Sequence, residues 1–291
     1  MILKANAKIN VTLNVFNKKN GFHFLETVIL PIKLHDIITV KKVGRDFPLK
    51  QSVIFENLKI GINENICNKA VKYIEKQFKI KDKYLFYVKK QIPINSGLGG
   101  ESSDVASIIT FYIKKYKLKL KRAEKIKMAL KFGCDVPFFI FNKPAYVSGI
   151  GDKLRMINVK KYNVLIIQPG KSKGLLTKNI FSNFDNSKKA KKKFNITKVI
   201  KALKLGNEQL LYNNVGNMLE AVATKEEPQI KKIKKFLINN NLIAFMTGAG
   251  NCVVSLFMSA NNKNIKKIAK KLQKNIRCNV FITETQNKTI R

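Results

Sequence analysis

Tryptophan is missing from this sequence of 291 residues, histidine occurs twice, cysteine four times, and acidic residues number only 18. The cysteines, Cys67, Cys134, Cys252 and Cys278, lie far apart and form no CxxC pair. With only His23 and His35 beside them they lack the ligand spacing of a zinc site, so reduced and mostly buried thiols are expected. No apolar run approaches the roughly 18 residues of a membrane span; Val136–Phe141, among the densest, is core-sized. The opening Met1–Lys8 has no signal-peptide hydrophobic region, so a cytoplasmic protein without a membrane partner is the expectation.

The scarcity of acids leaves a net charge of +39 against 57 basic residues. Such a charge attracts polyanions. Yet arginine is scarce as well, limited to Arg45, Arg122, Arg155, Arg277 and Arg291. Nucleic-acid recognition favours arginine for bidentate contacts, and no helix-turn-helix or RNP-like signature is present. Lysine, asparagine and isoleucine share A/T-rich codons, so genome composition accounts for much of the charge. No specific nucleic-acid partner is expected.

What the sequence does contain is periodicity. Ile9, Val11, Leu13 and Val15 alternate with Asn10, Thr12 and Asn14, the pattern of a half-buried strand. Asn17–Gly21 reads as a turn, Phe22–Leu34 as extended chain, and Ile37–Val40 and Ser52–Phe55 as further strands. Asn65–Phe78 places Ile66, Ala70, Tyr73, Ile74 and Phe78 at helical spacing. Lys83–Val88 is a strand, helix continues to about Lys117, and Arg122–Phe132 is a second helix stopped by Gly133. Ala145–Gly151 closes the first half. Beyond it come a strand over Tyr162–Ile167 and a basic, solvated loop at Lys188–Lys193. Helices follow over about 197–204, 208–223 and 228–240. Strands at 242–246 and 252–257 flank Thr247–Asn251, and a lysine-rich helix at 262–274 precedes a last strand at 277–283. Strands and helices mixed without strict alternation predict an α+β protein of two domains, 1–150 and 151–291.

The stretch that carries chemistry is Pro93-Ile94-Asn95-Ser96-Gly97-Leu98-Gly99-Gly100-Glu101-Ser102-Ser103-Asp104, between the strand and the helix. Glycines let backbone N–H groups converge on an anion, and a helix N-terminus adds partial positive charge, so this is a phosphate-binding arrangement. It is neither a Walker P-loop, because no Lys-Ser/Thr follows the last glycine, nor a dinucleotide fingerprint, because Ser102 stands at the third glycine position. Kinase HRD and DFG motifs are absent.

This loop resembles the phosphate loop of the GHMP kinase superfamily. Ala7–Leu13 followed by Gly21–Thr27, Gly133–Phe138, Gly149–Leu154 and Met246–Gly250 resemble, in order, further motifs of its branch that phosphorylates a cytidine diphosphate-linked methylerythritol. Five ordered motifs from residue 7 to residue 257 span nearly the whole chain. The resemblance implies a two-domain GHMP kinase fold: an N-terminal ATP-binding domain with a left-handed βαβ crossover, an exception to the usual handedness, and a ferredoxin-like C-terminal domain. It implies ATP and Mg²⁺, a small-molecule substrate phosphorylated at its 2-hydroxyl in non-mevalonate isoprenoid synthesis, and a monomer or homodimer.

By the same resemblance Asp135 is the general base and Lys8 lies beside it, stabilising the alkoxide and the transferring phosphoryl group. Asn10, on the same strand face as Lys8, would bind the methylerythritol hydroxyls. Phe22 and His23 would stack on and hydrogen-bond a cytosine, with Phe181 as a second stacking aromatic and Thr177 nearby. Residues 93–103 would hold ATP and Asn65 would contact adenine. Gly248 and Gly250 would approach the substrate phosphates, and Ser102 and Ser103 offer hydroxyls to phosphate, Ser103 also to Mg²⁺. Three positions depart from the family pattern: Phe22 replaces a usual tyrosine, Ala249 a common serine, and Glu101 a third glycine. Glu101 would be strained if its φ were positive and would repel triphosphate if it faced it; it is expected to point away from ATP or to touch Mg²⁺ through water. A kinase of homoserine or mevalonate type, and a basic nucleic-acid-binding protein on this fold, are the competing readings. The Gly21–Thr27 segment with its aromatic–His pair speaks against the first, and Lys8 with Asp135 against the second.

Overall fold

The computed structural model describes residues 1–19, 21–44, 51–56, 65–170, 175–187, 193–258 and 262–286. Asn20 of the expected first turn and residues 188–192 of the expected basic loop lie outside them. The chain forms two compact units that interleave along the sequence instead of meeting at one cut near residue 150. Unit 1 is Met1–Ala7, Leu34–Pro93 and Gly99–Asn142; unit 2 is Lys8–Lys33, Ile94–Leu98 and Lys143–Arg291.

Two long strands open the chain, β1 (Ile2–Lys19) and β2 (Phe22–Val43), and each contributes to both units. β2 joins what the sequence suggested were two strands, because Pro31 and His35-Asp36 leave the extended backbone unbroken. β1 corrects a second expectation. Its polar face is buried as deeply as its apolar face: Asn6, Lys8, Asn10, Thr12 and Asn14 are all at most 4% exposed. Alternation marks a solvent face only where water covers the polar side; here protein groups take that place.

In unit 1, β3 (Val53–Phe55), helix α1 (Ile66–Gln77) and β4 (Lys83–Lys89) form a β-α-β segment with β3 and β4 parallel. β4 also pairs antiparallel with Ile37–Val43 of β2. Helix α2 (Gly100–Lys115) follows the glycine loop, then α3 (Arg122–Leu130) and the short α4 (Val136–Phe141). An aromatic cluster fastens α2 to β4: Phe111 meets Tyr84 at 5.0 Å and Phe86 at 5.5 Å, both edge to face. Such pairs add about 0.5–1.5 kcal/mol each beyond area burial, which fixes the helix that the loop feeds.

In unit 2, β5 (Ala145–Gly149) pairs antiparallel with Leu25–Ile29 of β2 and with β6 (Lys153–Met156). Then come β7 (Asn163–Pro169), α5 (Thr177–Asp185), which the sequence reading missed, and α6 (Ile196–Leu205). The expected helix at 208–223 is broken into α7 (Glu208–Tyr212), β8 (Gly216–Asn217) and α8 (Glu220–Glu226). The break has a packing cause: a Cβ at Gly216 would stand 2.0 Å from the Phe194 ring, and Gly216 and Asn217 pair instead with Thr12 and Leu13 of β1. The chain ends with α9 (Gln229–Asn239), β9 (Phe245–Met246), β10 (Val253–Phe257), α10 (Asn262–Asn275) and β11 (Cys278–Glu284). The last sheet runs β11-β7-β10-β9, with every pairing antiparallel. Fourth, first, third and second strand in that order is the ferredoxin-like arrangement, as expected. Ile230, Ile233 and Leu237 of α9 and Ile265, Ala269 and Leu272 of α10 share its core with Leu165, Ile167 and Val253.

Candidate active site

The glycine loop passes from unit 1 through unit 2 and back. Its unit 2 part, Ile94–Leu98, is held by β1 and by the 247–250 loop. The Lys8 backbone N–H donates to Leu98 O at 2.9 Å, and the Lys8 ammonium donates to Gly97 O at 3.0 Å and Asn10 Oδ1 at 2.6 Å. Lys8 is therefore no solvated surface lysine; it is 3% exposed. Asn10 continues the network. Its Nδ2 donates to Thr27 Oγ1 at 2.9 Å, Thr27 Oγ1 donates to Thr12 O at 2.7 Å, and Asn10 N donates to Thr247 Oγ1 at 2.8 Å. Lys8 and Asn10 come together as the sequence predicted, while Thr27 and Thr247, quoted only as motif letters, prove to orient Asn10.

Two glycine segments touch without side chains between them. Gly97 has φ +77°, and a Cβ there would stand 2.3 Å from Thr247 O; a Cβ at Gly250 would stand 2.1 Å from Gly97 N. Gly248, at φ +59°, lies against Gly97 in the same way. Asn217 clamps this loop, donating from Nδ2 to Met246 O at 3.0 Å and Gly248 O at 2.7 Å. Nothing local in the sequence announces that role, because the residue sits where helix was expected. Ser96 is buried, and Asn95, at φ +51°, accepts from Leu175 N at 3.3 Å. Ile94 is half exposed.

The unit 1 part begins at Gly99, which caps α2 with φ +74°, a conformation glycine adopts without penalty. Gly100, Glu101, Ser102 and Ser103 are the first turn of α2; the N–H groups of Gly99–Ser102 are those a helix leaves for an anion, while Ser103 N donates to Gly99 O at 3.0 Å. Glu101 is helical and exposed, so the strain feared for it does not arise. Ser103 is 2% exposed. Ser102 is less buried, and its Oγ lies 3.8 Å from where a Gly133 Cβ would stand. That contact joins the first turn of α2 to the segment bearing Asp135. Asp135 is the N-cap residue of α4, with Pro137 in its first turn, so it lies between two helices and not at the expected helix-to-strand junction. It makes no capping hydrogen bond with its side chain.

Asn65 has another task. It caps α1, accepting from Cys67 N at 3.0 Å and Asn68 N at 3.2 Å, and its Nδ2 donates to Val53 O. Its amide oxygen holds the first turn of α1. The capping preference of asparagine was the signal.

The aromatic group in unit 2 is assembled as far as it can be described. His23 Nε2 lies 2.7 Å from Asp185 Oδ1, and its ring stands 4.8 Å from that of Phe181. Phe22 is 52% exposed, Thr177 is exposed at the start of α5, and Phe181 is partly buried against the core. Asp185 was not singled out from sequence, since an acid on an unpredicted helix carries no pattern. Among the described residues no group of three or more His, Cys, Asp or Glu could hold a metal, and none of the four cysteines forms a disulfide. No helix among the described residues is long and apolar enough to cross a membrane.

Residues 65–143 match the family profile described as GHMP kinases N terminal domain, and 199–278 match GHMP kinases C terminal. A protein of Caldicellulosiruptor saccharolyticus called 4-diphosphocytidyl-2-C-methyl-D-erythritol kinase is 32% identical over 290 residues, covering 99% of this chain and 98% of its own. One of the same name from Clostridium tetani is 33% identical over 261 residues, covering 88% and 91%. In fold, the chain resembles a crystal structure of 4-(cytidine 5'-diphospho)-2C-methyl-D-erythritol kinase with a TM-score of 0.79 at 22% identity, covering 99% of this chain and all of that one. A mevalonate kinase structure gives 0.67 at 18%. Full-length identity at this level, matches to both GHMP domains and the motifs now seen in place lead to one conclusion: the chain belongs to the 4-diphosphocytidyl-2-C-methyl-D-erythritol kinase family of the GHMP kinases.

Proposed function

We propose that the chain transfers the γ-phosphoryl group of ATP to the 2-hydroxyl of 4-diphosphocytidyl-2-C-methyl-D-erythritol, in the cytoplasm. The observation that carries this reading is the full-length likeness to relatives of that name, and the buried Lys8–Asn10–Gly97 network supports it. The start of α2 suits a triphosphate: Gly99, at positive φ, caps a helix whose first N–H groups are those left for an anion.

ATP supplies the phosphoryl group, and Mg²⁺, held mainly by its phosphates, shields their charge. The backbone N–H groups of Gly99–Ser102 hold the phosphates. Asp135 accepts the proton of the substrate hydroxyl. The transition state for phosphoryl transfer is loose, so an ordinary carboxylate serves if it is well placed. The Lys8 ammonium, oriented by Asn10 and Gly97, stabilises the negative charge that develops. The loop of Gly248 and Gly250 takes the substrate's own phosphates, and Phe22, His23 and Phe181 take its cytosine, with Asp185 setting the imidazole's orientation.

An ATP-consumption assay across the cytidine diphosphate compound, mevalonate and homoserine tests the reading. Turnover is expected with the first alone, and Asp135→Asn is expected to lower kcat by at least about 10²-fold. Turnover with another alcohol in its place, or an unimpaired variant, would refute the assignment.

A further inference from the structure

Three charged side chains are buried together behind the opening turn of α2, within unit 1. Lys90, between β4 and the glycine loop, donates from its ammonium to Asp36 Oδ2 and, at 2.6 Å, to Asp104 Oδ2. Asp36 comes from β2 and Asp104 from α2; both are 0% exposed. Asp36 Oδ1 also accepts from the backbone N–H of Gln91 at 2.5 Å and Ile92 at 2.8 Å. Gly100 closes over the ammonium: a Cβ there would stand 3.2 Å from Lys90 Nζ and 3.1 Å from Ile92 Cγ2. One cation thus ties β2, the segment leading into the loop and the helix whose first N–H groups face the phosphates.

The two carboxylates are not equivalent. Asp36 has three donors, which suit an anion. Asp104 Oδ1 has no hydrogen-bond partner among the described residues. An ion with an unpartnered buried oxygen is far costlier than a neutral acid.

We propose that Lys90 is a positioning residue of the phosphate loop: clamped between Asp36 and Asp104, it fixes the first turn of α2 for ATP. This rests on the kinase reading.

The test is the dissociation constant of Mg-ATP by calorimetry, with steady-state kinetics and thermal unfolding of each variant. Lys90→Met should weaken ATP at least about tenfold, while KM for the alcohol substrate stays within about threefold. Should it fail to fold, Lys90→Met with Asp104→Leu removes the buried pair together and should show the same weakening. Normal ATP affinity in a folded Lys90 variant, or equal losses toward ATP and the alcohol, overturns the proposal while leaving the kinase reading intact. A parent that binds no ATP overturns both.

Discussion

Lys8 and Lys90 both bury an ammonium group beside a part of the glycine loop, and each is held by a different set of oxygens. The Lys8 ammonium donates to an amide oxygen and a backbone carbonyl. Lys90 donates to two carboxylates. An amide and a carbonyl aim a cation, which suits a group that must stabilise a developing anion. Carboxylates cancel the charge and gain directional, charge-assisted bonds, which suits a group that holds elements in place. The Lys8 network is also extended outward through Asn10, Thr27 and Thr247, each with a partner, whereas the Lys90 cluster retains one oxygen unpartnered among the described residues. Satisfied networks specify one geometry.

The contrast can be broken by exchanging the role of one partner at a time. Lys8→Met should have the largest effect, lowering kcat by about 10²–10³-fold with a smaller change in ATP Kd, because it removes charge stabilisation in the transition state. A loss confined to KM in steady-state kinetics would place Lys8 with the holding groups instead. Thr27→Val should cost about 1–2 kcal/mol in denaturant unfolding, since Asn10 Nδ2 loses a buried acceptor. It should raise KM for the alcohol substrate more than KM for ATP. Equal rises in both would show that Asn10 orients the loop rather than the substrate. The smallest effect is expected for Glu101→Gly. Helical and exposed, Glu101 has no strain to relieve, so ATP Kd should stay within about threefold, and stability should fall by up to about 1 kcal/mol for a glycine in a helix. A large gain in ATP affinity would mean that this carboxylate faces the phosphates.

Much of the fold was legible because local rules decide it. Glycine at a helix start, asparagine before α1 and the apolar stripes of α9 and α10 all follow from helix geometry. The motif residues Lys8, Asn10, Gly97, Asp135 and Gly248 were singled out by the resemblance of their stretches to family motifs. Illegible were the features that depend on distant partners. Helix 208–223 is broken by Phe194 and β1, neither of which its own periodicity records. The bond from Asn65 to Val53 was not visible in its own stretch, and Asn217, which stood where helix was expected, is the clamp of the 247–250 loop. Helix α5 escaped because Thr177–Asp185 has few apolar residues, though it supplies Phe181 and Asp185 beside His23.

The sequence by itself determined the α+β class, the glycine loop between strand and helix, and the family, because each rests on residue types at short range or on ordered motifs. Only the tertiary structure decided that the polar face of β1 is interior, that two glycine segments meet backbone to backbone, and that Asp36, Lys90 and Asp104 share one buried site. Those outcomes depend on which distant groups replace water. Electrostatics and hydrogen bonding are priced by that replacement, and no stretch of sequence contains it.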